Sequence, residues 1–415
     1  MASGFLGMRG TGEWSTGEQP LSWREGTLKF WPNGGMPLTA IQSKGKKKKV
    51  TDPTFKWFTK DLAVQGGASV AYEDALLSTA FGAGDAGVVG TAVYAKVSAE
   101  TVSHFRKGHI VLMVETADSS VYAFGRVQST HTNGASSYIL VTLREGCIAT
   151  VLSTVDYIDI IGDANPEGGD IPDSIAYDPD LYENKTQIFR TSLDITRTAR
   201  ETHLRSEPAY NEAKREALLY HGVGIELATM FNPIATEFIG ENGKKERTTQ
   251  GVGGFIHTNA SVNELTWSGT WLTGGEAWID EALEVAFRKA SNGILMGTCG
   301  SLALLGLQKL VKNLGTFEFK AITAEYGIEI VKWKTVFGTL ILKVHPLMTH
   351  RAYRRREIYI FDPTRIETKL ITDTMFKGDD VKLGLDGTKQ EFLSEFGYAY
   401  GDPEEMMILR NVGGS

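Results

Sequence analysis

Only two cysteines occur in the 415 residues, Cys147 and Cys299. They lie far apart without CxxC spacing, which excludes a disulfide framework and points to a reducing compartment. No apolar run approaches the roughly 18 residues of a membrane span, and the opening MASGFLGMRG lacks a signal-peptide pattern, so neither membrane insertion nor export is expected. Positive charge is in deficit: 43 Lys and Arg against 50 Asp and Glu give a net charge of −7, unlike the basic footprint of a dedicated nucleic-acid binder. Histidine is scarce, with eight residues. Neither His104/His109 nor His345/His350 has the spacing of a helical zinc motif. No internal repeat or heptad pattern is visible. Glycine is what the chain has in excess, 46 residues falling between short β-like runs. With 42% apolar and 22% charged residues, the composition predicts a turn-rich, largely β globular chain of two or three domains.

The organising stretch is residues 206–230. Ser206 offers an N-cap, and Pro208 suits the first helical turn. Ala213, Ala217, His221, Gly224, Ile225 and Ala228 recur at three- and four-residue spacing and make one narrow face of small residues. Glu212, Arg215, Glu216 and Glu226 are expected on the opposite face. So slim a face predicts a long helix packed closely on something flat, and Asn232-Pro233 ends it.

Before this helix, residues 1–50 read as an extended arm broken by glycine and proline, with room for a short helix over 21–31. The arm ends in a basic run, Lys44, Lys46, Lys47, Lys48 and Lys49, either a solvated loop or a tether to acid. Strand-like alternation follows at 109–115, 121–128, 137–144 and 156–161, with turn signals at Asp118-Ser119-Ser120 and Thr132-Asn133-Gly134. Together these predict a small barrel or sandwich over about 98–161. Residues 162–183 then carry Asp163, Glu167, Asp170, Asp173, Asp178, Asp180 and Glu183 with no basic residue, the pattern of an extended acidic connector. After the long helix comes a glycine- and charge-rich loop over 240–254, and then an α/β pattern. Helices are expected after caps at Thr273 and Ser301, the second running to Lys312. Strands are expected at 187–198, 294–296, 317–321, 328–334, 339–344 and 357–361, with a turn at Val336-Phe337-Gly338. A hairpin is expected at Asp386-Gly387 between 381–385 and 389–396, with a closing strand over 406–411.

Catalytic constellations are present only as near-misses. Gly67-Ala68-Ser69-Val70-Ala71 lacks the second glycine of a nucleophile elbow. Gly240-Glu241-Asn242-Gly243-Lys244 is too short for a phosphate-binding loop. Gly297-Thr298-Cys299-Gly300-Ser301 lies at a strand-to-helix turn, where a tight glycine turn competes with an anion site. Arg351, Arg354, Arg355 and Arg356 form the densest basic patch outside the arm, a solvated edge or an intersubunit contact to acid. No catalytic, metal or cofactor site is expected.

Several short motifs thread the chain in order. They are Pro32-Asn33-Gly34 with Pro37-Leu38, Asp52-Pro53-Thr54-Phe55-Lys56-Trp57-Phe58, Asn184-Lys185-Thr186-Gln187-Ile188-Phe189, and Thr196 with Thr198-Ala199. Glu212, Lys214 and Glu216 follow in the helix, then Gly338, His345-Pro346 with Met348, Ile360-Phe361-Asp362-Pro363, Gly401-Asp402 and Met407-Ile408-Leu409-Arg410-Asn411. In these the sequence resembles the major capsid proteins of tailed bacteriophages with the Hong Kong 97-type fold. The resemblance implies an α+β fold with an N-terminal arm (1–51), an extended E-loop (52–196) holding the small β-barrel-like insertion, and a peripheral-domain spine helix (197–233). An axial domain (234–372) and completing strands of the peripheral domain (373–415) would follow. It also implies hexamers and pentamers that close an icosahedral or prolate head around double-stranded DNA. The partners would be a separate scaffolding protein, a portal at one vertex and a decoration protein, with non-specific contact to packaged DNA and no membrane. The chain would be assembled in the host bacterial cytoplasm and located in the virion. The basic run would meet the acidic tract of a neighbouring subunit, and Arg354, Arg355 and Arg356 would form a further subunit contact.

Three other readings compete. One is an encapsulin-like nanocompartment shell on the same fold. Another is a hydrolase using Ser69 with His104 or His109, and the third is a tail-tube or adhesion protein, against which the long helix and the α/β region argue.

Overall fold

The computed structural model describes residues 46–60, 62, 65–82, 84–148, 152–168, 170–202, 209–290, 293–314, 320–322, 330–378 and 386–414. The helix expected over 21–31, Lys44, the Ser206 cap with Pro208, and the strand expected over 381–385 lie outside these residues. Two compact units form, one from Lys60–Asp180 and one from the chain on either side of it.

The described chain opens with β1 (Lys47–Lys49) and β2 (Thr54–Thr59) and then enters the smaller unit. There β3 (Gly66–Ala68), β4 (Val70–Tyr72), β5 (Ala92–Lys96), β6 (His109–Glu115), β7 (Asp118–His131), β8 (Tyr138–Ile148) and β9 (Tyr157–Asp163) pair in the order β3-β9-β6-β7-β8-β5-β4. Only Ser69 separates β3 from β4, so one chain segment joins both ends of the sheet and closes it into a barrel. Alternate residues point inward: Val111 and Met113 of β6, Ala123 and Val127 of β7, and Ile139, Val141 and Leu143 of β8 are all at most 1% exposed. Each large aliphatic side chain buried in this way contributes about 1.5–3 kcal/mol. The barrel begins at Gly66, well before the expected start near 98, because its first strands are three-residue, glycine-bearing pieces too short to show a period. The first hairpin turns at Thr116-Ala117. Asp118 lies just inside β7, where its carboxylate accepts from the Ser120 amide at 3.0 Å.

The larger unit continues with β10 (Asp180–Lys185), β11 (Gln187–Thr196), α1 (Ala209–Phe231), β12 (Thr236–Ile239), β13 (Lys245–Thr248), α2 (Val252–Asn259) and β14 (Glu264–Thr266). Next come α3 (Trp271–Arg288), β15 (Ile294–Cys299), α4 (Ser301–Leu314), β16 (Lys320–Ile322), β17 (Ile330–Lys334), β18 (Thr339–Val344), β19 (Ile358–Phe361), β20 (Glu367–Lys377), β21 (Gly387–Ala399) and β22 (Met407–Arg410). One sheet runs β1-β20-β21-β11 and another runs β14-β22-β19-β15-β18-β17-β16, while β10-β2 and β12-β13 are two-stranded ribbons.

The long helix α1 lies on the four-stranded sheet, as its slim face predicts. Ala217 meets Leu193 and Phe392, and farther along Ile225 and Ala228 join a core with Phe189 and Phe396. Glu226 departs from expectation. It is fully buried, because near its C-terminal end the helix is covered on a second side by the turn after β18. Helices α3 and α4 share the core of the seven-stranded sheet, where Ile279, Leu283, Leu307, Leu340 and Ile358 meet. α3 starts at Trp271 with Thr270 in the cap position, so Thr273 lies inside the helix. α4 includes Ser301, and a Cβ at Gly300 would sit 2.4 Å from the Arg355 carbonyl oxygen. That turn is glycine for close backbone approach.

Several placements depart from the sequence reading: β10 takes up the end of the acidic connector, and β13 and the start of α2 lie in the loop expected over 240–254. β20 carries no clear strand period in the sequence, since register shifts after Leu370 and Thr372 break its alternation. β22 pairs with β19 and β14, so it belongs to the seven-stranded sheet and not with the other residues of 373–415. Its Met407, Ile408 and Leu409 are at most 2% exposed, which suits a strand covered on both faces.

Candidate assembly surfaces

The basic run of the arm becomes an edge strand. β1 pairs in parallel with Thr368–Leu370 of β20, and Lys46, Lys47, Lys48 and Lys49 all remain exposed. Lysine on an edge discourages unplanned strand pairing. Lys47 Nζ lies 3.1 Å from Asp373 Oδ2. Glu367 is hydrogen-bonded by Lys369 at 2.5 Å, and Lys369, Lys46 and Lys48 hold its carboxyl below the usual range. The strand therefore has acid beneath it and lysine ammonium groups facing water.

The acidic tract is less loose than its composition suggests. Asp163 Oδ2 pairs with Arg106 Nη2 at 2.6 Å, and Arg106 Nη1 donates to the Asp173 carbonyl at 2.9 Å. Glu183 lies 3.4 Å from Lys56 Nζ. The side chains of Glu167, Asp170, Asp173, Asp178 and Asp180 are exposed and make no ion pair among the described residues.

Each arginine of the patch 354–356 bonds within the chain, with Arg355 exposed and Arg354 and Arg356 half-buried. Arg354 Nη1 donates to Glu357 at 3.1 Å and to the Tyr359 hydroxyl, and its guanidinium lies 4.1 Å from the Phe231 ring centroid. Arg355 Nε donates to the Thr349 carbonyl at 2.8 Å, and Arg356 Nη1 donates to the Gly413 carbonyl. All three brace the loop after β18, so any contact they make with a neighbour would have to share these bonds.

The features picked out as catalytic near-misses also have structural roles. Ser69 is the corner of the barrel, and its amide donates to the Asp156 carbonyl at 2.7 Å. His104 stacks edge-on to Tyr177 at 5.5 Å, and His109 accepts from Arg106 Nε at 2.9 Å. Burial pushes the Cys299 thiol up to about 12, where it is inert at neutral pH. Among the described residues, no group of three His, Cys, Asp or Glu is placed to hold a metal ion, and no helix is long and apolar enough to cross a membrane.

Two contacts escaped the sequence reading, and no one-dimensional signal marks either. His345 Nε2 lies 2.9 Å from Glu226 Oε1, with both side chains fully buried and 119 positions apart. His221 bridges α1 to the four-stranded sheet, at 3.0 Å from Thr191 Oγ1 and 2.8 Å from Ser394 Oγ. Burial lowers the His221 pKa, and burial followed by Arg106 lowers that of His109. Unfolded, both rings titrate near the usual 6.5, so the unfolded chain takes up protons first as pH falls. Stability from these rings is fully present above about pH 6.5. It declines as pH drops through that value towards the folded-state values. We expect the thermal midpoint to fall between pH 7.5 and 5.5, and His221→Asn to flatten part of that slope. A midpoint constant across this range would refute the assignment.

A sequence-family model described as SU10 major capsid protein matches residues 31–413. The chain belongs to this family. It is a major capsid protein, a component of the virion whose relatives assemble into shells. A curated relative, the major capsid protein of Pseudomonas phage PaMx41, is 24% identical over 330 residues, which is 78% of this chain and 72% of that protein. Among solved structures, Microbacterium phage Oxtober96 is 9% identical with a TM-score of 0.41, over 94% of this chain and 95% of that one. The holo-SrpI encapsulin complex of Synechococcus elongatus PCC 7942 is 10% identical with a TM-score of 0.39, over 57% and 76%.

Proposed function

We propose that this capsid protein forms hexamers and pentamers that close a Hong Kong 97-type head around double-stranded DNA. Membership of the SU10 family over residues 31–413 carries the reading. In it, 1–51 is the arm and 52–196 the E-loop, whose stem is the β2–β10 ribbon and whose insertion is the barrel. Residues 197–233 contain the spine helix α1. The axial domain spans 234–372 with β22 returning to its sheet, and the remaining residues after 373 complete the peripheral domain. Assembly occurs in the host bacterial cytoplasm with a scaffolding protein and a portal, and the barrel is the surface offered to a decoration protein or a neighbouring subunit. The chain works through surfaces and not through a catalytic site. A net negative subunit suits this role, since a strongly basic lining would hold DNA that must later leave.

Within that shell, Lys44, Lys46, Lys47, Lys48 and Lys49 of one copy meet the tract from Glu167 to Asp180 of another. Negative-stain microscopy of the recombinant chain, with and without its scaffolding protein, tests the assembly. Closed shells or hexameric sheets support it, and a monodisperse monomer under both conditions would refute it. Lys46→Glu combined with Lys48→Glu should cut particle yield at least tenfold at low salt, since each reversal turns an attraction into a repulsion. Unchanged yield from the double variant would remove the lysine–acid contact while leaving the shell reading intact.

A further inference from the structure

We propose that Arg106, His109 and Asp163 form a proton-operated clasp, which holds the acidic tract 164–180 against the barrel near neutral pH and releases it in acid. Arg106 sits in the turn before β6, and its guanidinium reaches three ways. Nε donates to His109 Nε2 at 2.9 Å, Nη2 to Asp163 Oδ2 at 2.6 Å at the end of β9, and Nη1 to the Asp173 carbonyl at 2.9 Å in the tract. One side chain thus ties β6, β9 and the tract together. Asn165 reinforces the carboxylate, donating to Asp163 Oδ2 at 3.2 Å. Farther along, Tyr177 rests edge-on against His104 at 5.5 Å. Arg126 of β7 brings a further charge to the cluster. A Cβ placed at Gly108 would lie 3.6 Å from its Nη2 and 3.5 Å from Asp163 Oδ1. The cluster therefore brings Arg106, Arg126 and His109 to the Asp163 carboxylate, with His104 farther along beside Tyr177.

The Arg106–His109 bond exists only while Nε2 keeps its lone pair, so the ring must be neutral. Protonation places N–H on both ring nitrogens, removes the acceptor that Arg106 Nε uses and sets a cation against the guanidinium. The imidazolium is then a competing donor for Asp163. Burial and, after it, Arg106 oppose the proton while Asp163 favours it, and the balance lies below the usual imidazole value. Once the ring charges, Arg106 turns away, and the Asp173 carbonyl loses its donor. The tract then keeps its anchors at the start, Ala164 N to the Gly108 carbonyl and Asn165 to Asp163, and the Tyr177–His104 contact, while the stretch around Glu167, Asp170 and Asp173 is released.

Hydrogen–deuterium exchange of the full-length chain, corrected for intrinsic rates, tests the clasp. Peptides covering 164–180 should lose about tenfold protection between pH 7.5 and pH 5.0, while peptides of β6 to β8 keep theirs. His109→Gln keeps an oxygen that accepts from Arg106 and does not titrate, so its tract should stay protected at both pH values. Arg106→Lys keeps the charge but not the three-way reach, and its tract should be unprotected already at pH 7.5 over a protected barrel core. Equal tract protection at both pH values in the unaltered chain would overturn the clasp. So would parallel losses in the unaltered chain and His109→Gln, or a fully protected tract in Arg106→Lys.

Discussion

His345→Ala will cost about 3–5 kcal/mol, the range for truncating a large buried ring, with a buried hydrogen bond lost as well, against a total stability of only about 5–15 kcal/mol for a domain. The His345 and Glu226 side chains are both 0% exposed and lie 2.9 Å apart. Glu226 belongs to α1, which packs on the four-stranded sheet. His345 follows β18 of the seven-stranded sheet, and Phe231 and Tyr359 pack around them. Removing the imidazole takes away a hydrogen-bond partner that water cannot replace at such depth. Most of the expressed chain should then be insoluble. Glu226→Leu with His345→Leu together should recover most of the loss, since replacing both hydrogen-bonding partners by apolar groups of similar volume can be nearly neutral. The check is the denaturant midpoint of the single and double variants. A single variant as stable as the parent would show that the pair does not hold the two sheets' elements together.

Gly254→Ala should be nearly as damaging, and Gly224→Ala should stabilise. Gly254 lies in the first turn of α2, where it crosses the exit of α1. A Cβ there would sit 2.3 Å from both the Asn232 and Pro233 carbonyl oxygens. Those atoms are backbone and cannot rotate away, so the two helices must separate, at about 3 kcal/mol, the upper end of the usual overpacking range. Gly224 lies on the exposed side of α1, where an added Cβ meets nothing within 4 Å. Alanine there should add about 0.5–1 kcal/mol by restricting the unfolded chain and favouring helix. Thermal melts of the two variants should move in opposite directions. A stable Gly254→Ala would mean that the helix crossing is looser than these distances state.

What the sequence determined by itself is whatever depends on local period and on the order of short motifs. The small-residue spacing of Ala213, Ala217, His221, Gly224, Ile225 and Ala228 is enough to predict a long helix on a flat partner, although Gly224 falls on the exposed side of the helix and not on the packed face. The alternation in His109–Glu115 and Tyr138–Ile148 is enough to predict a small β domain. The order of motifs from Asp52-Pro53 to Met407-Ile408-Leu409 pointed to the capsid family that residues 31–413 match, and the α+β class followed. Contacts between residues far apart in the chain were decided only in three dimensions. Position 226 reads as a surface glutamate on a helical wheel, because the wheel cannot know that the turn after β18 covers that side. The arginines at 354–356 read as a free basic patch, yet Glu357, Phe231 and the carbonyls of Thr349 and Gly413 take them up. β20 was hidden because its bulges break the two-residue period. The barrel closes through β3 and β4 on either side of Ser69, strands too short to carry a period of their own. Burial and partner identity are properties of the packed chain. A buried polar side chain can persist only where tertiary structure supplies its partner, and that partner is placed by the fold and not by the neighbouring sequence.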